Sequence, residues 1–357
     1  MTKKIVLTGG GTAGHVTPNI ALLPSLKEHG YEILYIGSYE GMEKKLIEKA
    51  GIPYVGISSG KLRRYLSAKN LTDPFRVVKG YREAHKILKE NRPDIVFSKG
   101  GFVSVPVVLA AHSMHIPVII HESDMTPGLA NKICIHSAAR ICCNFPETMK
   151  LIPREKAVLT GSPIRAELLS GSRERGYEIT KFPKEKPVLL VIGGSLGSVT
   201  VNKSVRECLS DLLKEFSVIH ICGKGNLDTS LAGTDRYLQY EFVADDLKDL
   251  FALSDLMISR AGANAICEIL ALRKPNVLIP LSASASRGDQ ILNAASYEKQ
   301  GFSYVLEEEQ LTRETLLDAV HSVYEDREKY TAAMEKSDVR DGVAKIISLI
   351  EETVSNR

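Results

Sequence analysis

Two stretches of this chain decide its fold: KKIVLTGGGTAG at residues 3–14 and PVLLVIGGSLGS at residues 187–198. Each begins with a short apolar run rich in Val, Ile and Leu, which leads at once into glycines and then into a helical pattern. This order is typical of a parallel β-strand that turns tightly into a helix. Because the order occurs twice, we predict two similar α/β units of the doubly wound type.

The rest of the chain continues the alternation of short apolar runs with helical patterns. The runs lack strict alternation of apolar and polar residues, as expected for strands of a parallel sheet that is buried on both faces. The predicted strands of the first half are Ile5–Thr8, Ile33–Gly37, Tyr54–Ile57, Ile95–Ser98, Val118–His121, Ile141–Asn144 and Val158–Gly161. Those of the second half are Val188–Ile192, Val218–Cys222, Tyr237–Phe242, Leu256–Ser259, Asn276–Pro280 and Ser303–Leu306.

A polar, charged stretch at 163–186 separates the two halves. It lacks periodic apolar positions, so we interpret it as a linker. The predicted domains are therefore 1–162 and 163–340, followed by a helical pattern at 341–355.

Composition limits the classes of protein that fit. The chain has 357 residues, of which 44% are hydrophobic and 25% charged, and its net charge of +3 does not favour a nucleic-acid partner. No run of about 18 apolar residues predicts a membrane-spanning helix, and the N-terminal apolar stretch is too short for a signal peptide. The six cysteines form no CxxC pair and have no histidine cluster beside them, so we expect small buried side chains in a cytoplasmic protein.

The first glycine loop suggests a phosphate site. Gly9, Gly11 and Gly14 match GxGxxG directly after a strand, a pattern that brings backbone N–H groups close to a phosphate. A tight turn without a ligand is the alternative. A nicotinamide dinucleotide is disfavoured, because that use needs an acidic residue at the end of the second strand. Here that strand ends in Gly37-Ser38, with Glu40 further on in the loop.

Polar groups also follow two strands of the second half. Glu268 lies in the helix after Arg260–Asn264, where it could accept hydrogen bonds from a ribose diol or simply stabilise the helix dipole. Arg287–Gln290 precedes another helix, and Asn293 lies one turn beyond. Parallel strands bind ligands at their carboxyl ends, so we expect these loops to form one site.

Six motifs occur in an order that resembles a known family. They are GGGTAGHVTP (9–18), SKGGFVSVP (98–106), GSPIR (161–165), GGSLG (193–197), SRAGANAICE (259–268) and GDQILNA (288–294). Together they resemble the MurG family, the N-acetylglucosaminyltransferases that complete the lipid-linked disaccharide-peptide precursor of bacterial peptidoglycan. The resemblance implies a GT-B fold, in which two Rossmann-like parallel-sheet domains face a central cleft. It also implies that the C-terminal helix, 341–357, packs back on the N-terminal domain.

The resemblance implies an inverting transfer from UDP-N-acetylglucosamine to the C4 hydroxyl of N-acetylmuramoyl-pentapeptide on undecaprenyl diphosphate. By analogy the N-terminal domain faces acceptor and membrane, and the C-terminal domain binds the UDP-sugar. The residues implied to contact substrates are Thr12, Ala13, Gly14, Asp124, Arg165, Ser195, Val243, Ala244, Ala263, Asn264, Ala265, Ile266, Cys267, Glu268, Gln290 and Asn293. Glu268 would hold the ribose, and Gln290 and Asn293 the sugar hydroxyls. Two segments depart from the family pattern: Ala13 replaces a glycine, and Asp124 stands where an asparagine is expected.

For the general base we favour His15, because imidazole titrates near neutral pH, and we keep His121 and Glu122 as alternatives. A capping or phosphate-contacting role is the other interpretation of His15. The chain has no DxD motif, so we expect neither a metal nor another cofactor. A helix N-terminus, with Ser195 and Arg165, would stabilise the leaving diphosphate instead.

The lipid acceptor implies docking on the inner face of the cell membrane. Residues 61–89 combine cations with apolar groups, which suits anionic lipids, although an ordinary amphipathic helix would show the same pattern. Lys99, in a glycine-rich turn, could receive the diphosphate of the acceptor, and a plain strand-to-helix turn is the alternative. The alternatives from other classes are a diacylglycerol glycosyltransferase, a UDP-N-acetylglucosamine epimerase, and a non-catalytic nucleotide-binding protein.

Overall fold

The computed structural model describes residues 2–60, 73–194, 197–284, 288–339 and 342–356. The chain divides into two compact units. The first comprises Met1–Arg165 together with Asp341–Arg357, and the second comprises Ala166–Arg340. The division falls three residues after the boundary expected from the sequence.

The first unit contains a seven-stranded parallel sheet in the order β3-β2-β1-β4-β5-β6-β7. Strand β1 pairs with β2, where Ile5 lies opposite Ile33, and with the central strand β4, where Ile5 lies opposite Ile95. The strands are β1 Lys3–Thr8, β2 Tyr31–Ser38, β3 Tyr54–Ile57, β4 Ile95–Ser98, β5 Val118–Glu122, β6 Arg140–Cys143 and β7 Ala157–Leu159.

Helices cover both faces of this sheet. On one face Val6 and Val96 pack in a buried cluster with residues of α3 and α4, and on the other face Leu7 and Phe97 pack with residues of α1 and α14. The C-terminal helix α14 thus completes the core of the first unit. The helices are α1 Thr17–Glu28, α2 Met42–Lys49, α3 Asp73–Asn91, α4 Ser104–Ser113, α5 Leu129–Cys134 and, after the second unit, α14 Gly342–Ser355.

The second unit contains a six-stranded parallel sheet in the order β10-β9-β8-β11-β12-β13. Its strands are β8 Val188–Ile192, β9 Ser217–Ile221, β10 Tyr237–Tyr240, β11 Leu256–Ser259, β12 Asn276–Leu278 and β13 Tyr304–Val305. Its helices are α6 Arg173–Thr180, α7 Val199–Glu207, α8 Leu209–Glu215, α9 Leu247–Leu253, α10 Ala263–Leu272, α11 Asp289–Lys299, α12 Arg313–Glu325 and α13 Arg327–Glu335.

All thirteen predicted strands are present, and both sheets are parallel, so the predicted fold class is confirmed. Burial on both faces explains why the apolar runs are continuous. In β8, for example, Leu189, Leu190 and Val191 are all fully buried although successive side chains point to opposite faces.

The segment 163–186, interpreted from the sequence as a linker, contains the division between the two units and also helix α6, which packs on α9. Polar contacts rather than an apolar stripe hold it there. The Ser172 backbone N–H donates to Asp249 Oδ1 at 2.7 Å, and Arg173 donates to the Leu253 carbonyl at 2.8 Å. Arg173 also forms an ion pair of 3.0 Å with Asp255. A sequence search for apolar periodicity cannot detect such a helix.

The prediction that the cysteines are buried is confirmed, since all six are free and buried. Within the ranges that the structure describes, no helix is long and apolar enough to cross a membrane.

Candidate functional site

Three loops of the first unit meet at one edge of its sheet. Strands β1, β4 and β5 are neighbours and run parallel, so the segments that follow them emerge at the same edge. These segments are Gly9–His15, Lys99–Gly101 and Ser123–Asp124. We call this edge the first-unit edge.

The first two loops touch through their backbones. Gly101 has a φ of +86°, and a Cβ on it would lie 2.3 Å from the carbonyl oxygen of Gly10. Only glycine fits this position, because a side chain would be strained by the left-handed backbone and would clash with the first loop. The GG pair of SKGGF therefore serves loop packing.

A buried polar network beneath the first loop was not predicted. The Tyr35 hydroxyl donates to the Gly9 carbonyl at 2.7 Å, and Asn19 Nδ2 donates to the Thr8 carbonyl at 3.3 Å and to the Tyr35 hydroxyl at 3.2 Å. Both side chains are fully buried. Because the backbone groups of the loop are satisfied from below, the loop is held in one conformation.

His15 is half-buried and lies in the short 3₁₀ turn Ala13–His15 of this loop. Its Nδ1 is 3.0 Å from the Gly10 carbonyl oxygen, which can only accept, so we assign the proton to Nδ1. The other nitrogen, Nε2, then carries a lone pair and has no hydrogen-bond partner among the described residues. Burial and the nearby Lys99 charge lower the pKa of His15 below 6.5. The ring is therefore neutral at pH 7 and able to accept a proton.

His121 differs from His15 because it is fully buried and both ring nitrogens are engaged. Lys99 Nζ donates to His121 Nδ1 at 2.7 Å, and His121 Nε2 donates to the Gly161 carbonyl at 3.0 Å. Burial and the Lys99 charge hold the pKa of His121 well below 6.5. The ring thus ties β4, β5 and the segment after β7 together.

Lys99 is only 1% exposed, and its ammonium also donates to the Ser123 hydroxyl. The prediction that Lys99 receives an acceptor diphosphate is therefore wrong, since its charge faces the protein interior. A glycine-rich turn in the sequence does not reveal that the lysine beside it points inward.

Glu122 is buried as well and organises the loop after β5. Its carboxylate accepts from the Gly128 N–H at 2.9 Å, from Asn131 Nδ2 at 2.9 Å and from the Asp124 N–H at 3.1 Å. Burial raises its pKa above the ordinary value. Asp124 itself is half-buried at the first-unit edge, and its charge acts on His15 in the direction that raises the pKa of His15.

The second unit has an equivalent edge, built around a buried arginine. Arg260, directly after β11, donates to the Ile279 and Pro280 carbonyls after β12, both at 3.1 Å. It also donates to the Ser198 hydroxyl at 2.7 Å and pairs with Glu308 at 2.5 Å. One guanidinium therefore clamps the loops that follow the three neighbouring strands β8, β11 and β12. We call the edge of the sheet at which these loops lie the second-unit edge.

Helix α10 begins at this edge with Gly262 as its N-cap residue. The N–H groups of Ala263, Asn264 and Ala265 belong to the first turn, where the helix supplies no acceptor for them. Together with the helix dipole they favour an anion at this point. Ile266 and Cys267 are buried, whereas Glu268 is half-buried in the second turn.

Gln290 and Asn293 lie in the first turns of α11 but in different environments. Gln290 is half-buried, and its Oε1 accepts from the Leu281 N–H at 3.0 Å. This hydrogen bond fixes the orientation of the side-chain amide and therefore of its NH₂ donor. Asn293 is fully buried and donates to the Ala261 carbonyl at 3.4 Å. Asn293 therefore supports the turn before α10 from below.

The remaining predicted contacts are at loop positions. Val243 and Ala244 follow β10, half-buried and exposed respectively, and Arg165 is half-buried at the end of the first unit.

In the first loop, Thr12 is exposed, and its hydroxyl lies 3.3 Å from His15 Nδ1. Ala13 and Gly14 belong to the same turn. Ser195 and Arg287 lie outside the described residues.

A cavity of about 480 Å³ in the second unit lies away from these edges. It is lined by Asp255 and Lys274, which precede β11 and β12, so it opens at the amino ends of the strands. Lys274 donates to the Ser254 carbonyl at 2.6 Å and thereby caps the end of α9. Lys274 therefore has a structural partner, and the cavity is separate from the second-unit edge.

Comparison with known proteins identifies the family of this chain. Residues 5–143 match the glycosyltransferase family 28 N-terminal domain, and residues 188–350 match its C-terminal domain. The UDP-N-acetylglucosamine--N-acetylmuramyl-(pentapeptide) pyrophosphoryl-undecaprenol N-acetylglucosamine transferases of Lachnospira eligens and Lachnoclostridium phytofermentans are each 65% identical over 350 residues, which is 98% of this chain and 99% of each relative.

Among solved structures, the crystal structure of Acinetobacter baumannii MurG matches with a TM-score of 0.77 at 25% identity. The match covers 98% of this chain and 99% of that chain. The two family domains, the near full-length identity and the shared fold agree, and this chain belongs to the MurG family of N-acetylglucosaminyltransferases within glycosyltransferase family 28.

Proposed function

We propose that this protein transfers N-acetylglucosamine from UDP-N-acetylglucosamine to the C4 hydroxyl of undecaprenyl-diphosphate-linked N-acetylmuramoyl-pentapeptide, in peptidoglycan synthesis. The observation that carries the proposal is the 65% identity, over 98% of the chain, to relatives named for this transfer. The geometry of the two edges supports it, because one edge presents a neutral imidazole and the other an anion-binding helix start.

In the proposed reaction the first-unit edge takes the acceptor. The acceptor C4 oxygen attacks the anomeric carbon of the donor, and the bond from that carbon to the UDP oxygen breaks with its electron pair leaving on UDP. The acceptor hydroxyl proton passes to His15 Nε2. Because attack is opposite to the leaving group, the configuration inverts and a β-1,4 linkage results.

His15 is preferred to His121 and Glu122 as the base for geometric reasons. The two alternatives are buried, and their hydrogen-bonding atoms are already engaged by the protein. A base must reach the proton that it removes. We assign His121 and Glu122 the role of positioning the loops of the first-unit edge.

The second-unit edge is proposed to take UDP. The N–H groups at the start of α10 and the helix dipole would stabilise the diphosphate, and Glu268 would accept hydrogen bonds from the ribose. Gln290 would donate to a sugar hydroxyl, since its NH₂ group is oriented by the Leu281 contact. The buried Asn293 would act through the turn that it supports.

Chelation of divalent metal is predicted to leave turnover unchanged. The proposed stabilisation of the leaving UDP comes from a helix start, and the chain has no DxD motif for a metal. The test compares initial rates in EDTA with rates in added Mg²⁺. Loss of activity in EDTA that Mg²⁺ restores would contradict the prediction.

Replacement of Gln290 by Ala is predicted to raise KM for the donor by about 3- to 10-fold, the equivalent of one hydrogen bond. The matched control is Gln300→Ala at the other end of α11, where the side chain donates to the Ser296 carbonyl. Steady-state kinetics with varied UDP-N-acetylglucosamine measure the effect. Equal KM values in the two variants would remove Gln290 from the donor site.

We further propose that the exposed face of α3 docks on anionic lipid of the inner leaflet, which would place the enzyme peripherally on the cytoplasmic side of the membrane. Phe75 is 78% exposed and Val78 51% exposed. The exposed cations of the same helix are Arg76, Lys79, Arg82, Lys86 and Lys89. Apolar groups among cations are typical of a membrane-surface helix. The other residues of this predicted patch, within 61–72, lie outside the described residues.

Reversal of two of these charges, in Lys86→Glu with Lys89→Glu, is predicted to weaken binding to anionic vesicles. Each cation contributes about 1 kcal/mol, so losing two should cost at least about 30-fold in affinity. The control is Lys329→Glu with Lys336→Glu in the second unit, where the lysines are also exposed. Flotation with phosphatidylglycerol vesicles measures binding, and an equal loss in both variants would exclude α3 as the docking surface.

The proposed function is tested with radiolabelled donor and a short-chain analogue of the lipid acceptor. Labelled disaccharide product is expected from UDP-N-acetylglucosamine and much less from UDP-glucose. UDP-N-acetylglucosamine alone should release UDP only slowly. Rapid release of UDP without acceptor would instead indicate a hydrolase or a hydrolysing epimerase, and labelling of diacylglycerol would indicate a different acceptor.

A further inference from the structure

Glu43, in the first turn of α2, is a fully buried carboxylate at the first-unit edge. It accepts hydrogen bonds from the Ser38 N–H at 3.0 Å, the Ser38 hydroxyl at 2.5 Å and the Gly11 N–H at 3.3 Å. Among the described residues it forms no ion pair. Burying a carboxylate without a cation costs free energy that hydrogen bonds offset only in part. The position of Glu43 therefore needs an explanation.

The chain leaves space for this carboxylate by using glycine on two sides. A Cβ on Gly10 would lie 2.7 Å from Glu43 Oε1, and a Cβ on Gly41 would lie 2.1 Å from the same atom. Glu43 therefore occupies the volume directly behind the peptide of Gly10. The carbonyl of that glycine is the group that holds His15 Nδ1.

We propose that Glu43 is a positioning residue for the transfer reaction: its carboxylate fixes the Gly10–Gly11 peptide so that the Gly10 carbonyl selects the Nδ1–H tautomer of His15. Glu43 acts through the loop, since it is enclosed by the protein. The inference rests on the proposed function only in treating His15 as the base. The tautomer of His15 itself is a property of the free protein.

The test is Glu43→Gln, which keeps the shape but places an amide in a site whose neighbours are N–H donors. We expect kcat to fall about 10-fold or more with little change in KM, because a displaced base slows the chemical step. Three charged groups act on His15: Lys99 lowers its pKa, and Asp124 and Glu43 raise it, as does the Gly10 hydrogen bond. Loss of Glu43 should therefore move the acid limb of kcat/KM to lower pH.

A second readout does not depend on turnover. Nitrogen-15 NMR of the imidazole should show the Nδ1–H tautomer in the native protein and a mixture of tautomers in Glu43→Gln. Glu48→Gln, on the exposed side of the same helix, is the matched control and should resemble the native protein. If Glu43→Gln does not fold, Ser38→Ala removes one hydrogen bond to the carboxylate and should shift the same readouts in the same direction, by less.

The two proposals fail in different ways. Native protein that does not transfer sugar would refute the proposed function and leave the tautomer test standing. Native kcat, native pH profile and an unchanged tautomer in Glu43→Gln, or in Ser38→Ala if only that variant folds, would overturn the positioning role.

Discussion

Replacement of His15 by Ala is expected to lower kcat by about 10²- to 10⁴-fold, the usual contribution of a general base. The expectation follows from the geometry, because the Gly10 carbonyl holds Nδ1 and leaves the Nε2 lone pair for the acceptor hydroxyl. KM for UDP-N-acetylglucosamine should change little, since the donor is assigned to the second unit. Steady-state kinetics with the short-chain acceptor measure both constants.

The pH profile of the native enzyme supplies the control on this assignment. A base works when it is deprotonated, and the pKa of His15 is lowered below 6.5 by burial and by Lys99. The kcat/KM value should therefore be level between pH 7 and 8 and fall only at lower pH. His112→Ala, at an exposed histidine, should leave the rate unchanged. A His15→Ala enzyme that keeps half of its activity would contradict the role as base.

Replacement of Arg260 by Met is expected to lower the free energy of unfolding by about 3–5 kcal/mol, the usual cost of breaking a buried ion pair from one side. The change removes the clamp on three loops, leaves the Glu308 carboxylate without its cation and removes the arginine donor to the Ser198 hydroxyl. Urea melts followed by circular dichroism measure the effect, and hydrogen exchange should localise it to β8, β11 and β12.

An exposed pair of the same type provides the control for Arg260. The side chains of Arg260 and Glu308 are 9% and 17% exposed, whereas those of Arg273 and Glu335 are 48% and 50% exposed. Arg273→Met should therefore cost at most about 1 kcal/mol. Equal losses in the two variants would show that Arg260 is not a clamp.

The contribution of the Arg260–Glu308 pair should also depend on pH. Burial alone would raise the pKa of Glu308, but the hydrogen bond and charge of Arg260 outweigh it and leave the pKa lowered. A lowered folded-state pKa stabilises the protein above the unfolded value near 4.5. The difference between native and Arg260→Met protein should thus be full at pH 7 and shrink as the pH falls below 4.5.

The sheets were predictable because their signal is local. Buried parallel strands need continuous runs of β-branched and aliphatic residues, and the loops after β1 and β8 need glycine. These patterns can be recognised in the sequence without knowledge of the tertiary structure. The same reasoning located the edges at which the loops meet. Helix α6 gave no such signal, since long-range polar contacts to Asp249 and Leu253 hold it in place.

The side chains of the candidate site were less predictable, since exposure is set by tertiary packing. Motif position suggested that Lys99 and Asn293 contact ligand, yet both are buried and bonded to the protein. The role of Glu43 was not predicted, because Glu43 lies in an ordinary polar helix and is separated in sequence from the loop that it contacts. Only the geometry distinguishes a residue that meets substrate from one that holds a loop.

The anomeric configuration of the disaccharide product tests the central claim most directly, since in-line attack by an oxygen deprotonated by His15 requires inversion. Proton NMR of the product formed from α-linked UDP-N-acetylglucosamine should show a β linkage to the C4 oxygen of the muramoyl sugar. An α-linked product, or free N-acetylglucosamine in place of disaccharide, would contradict the account.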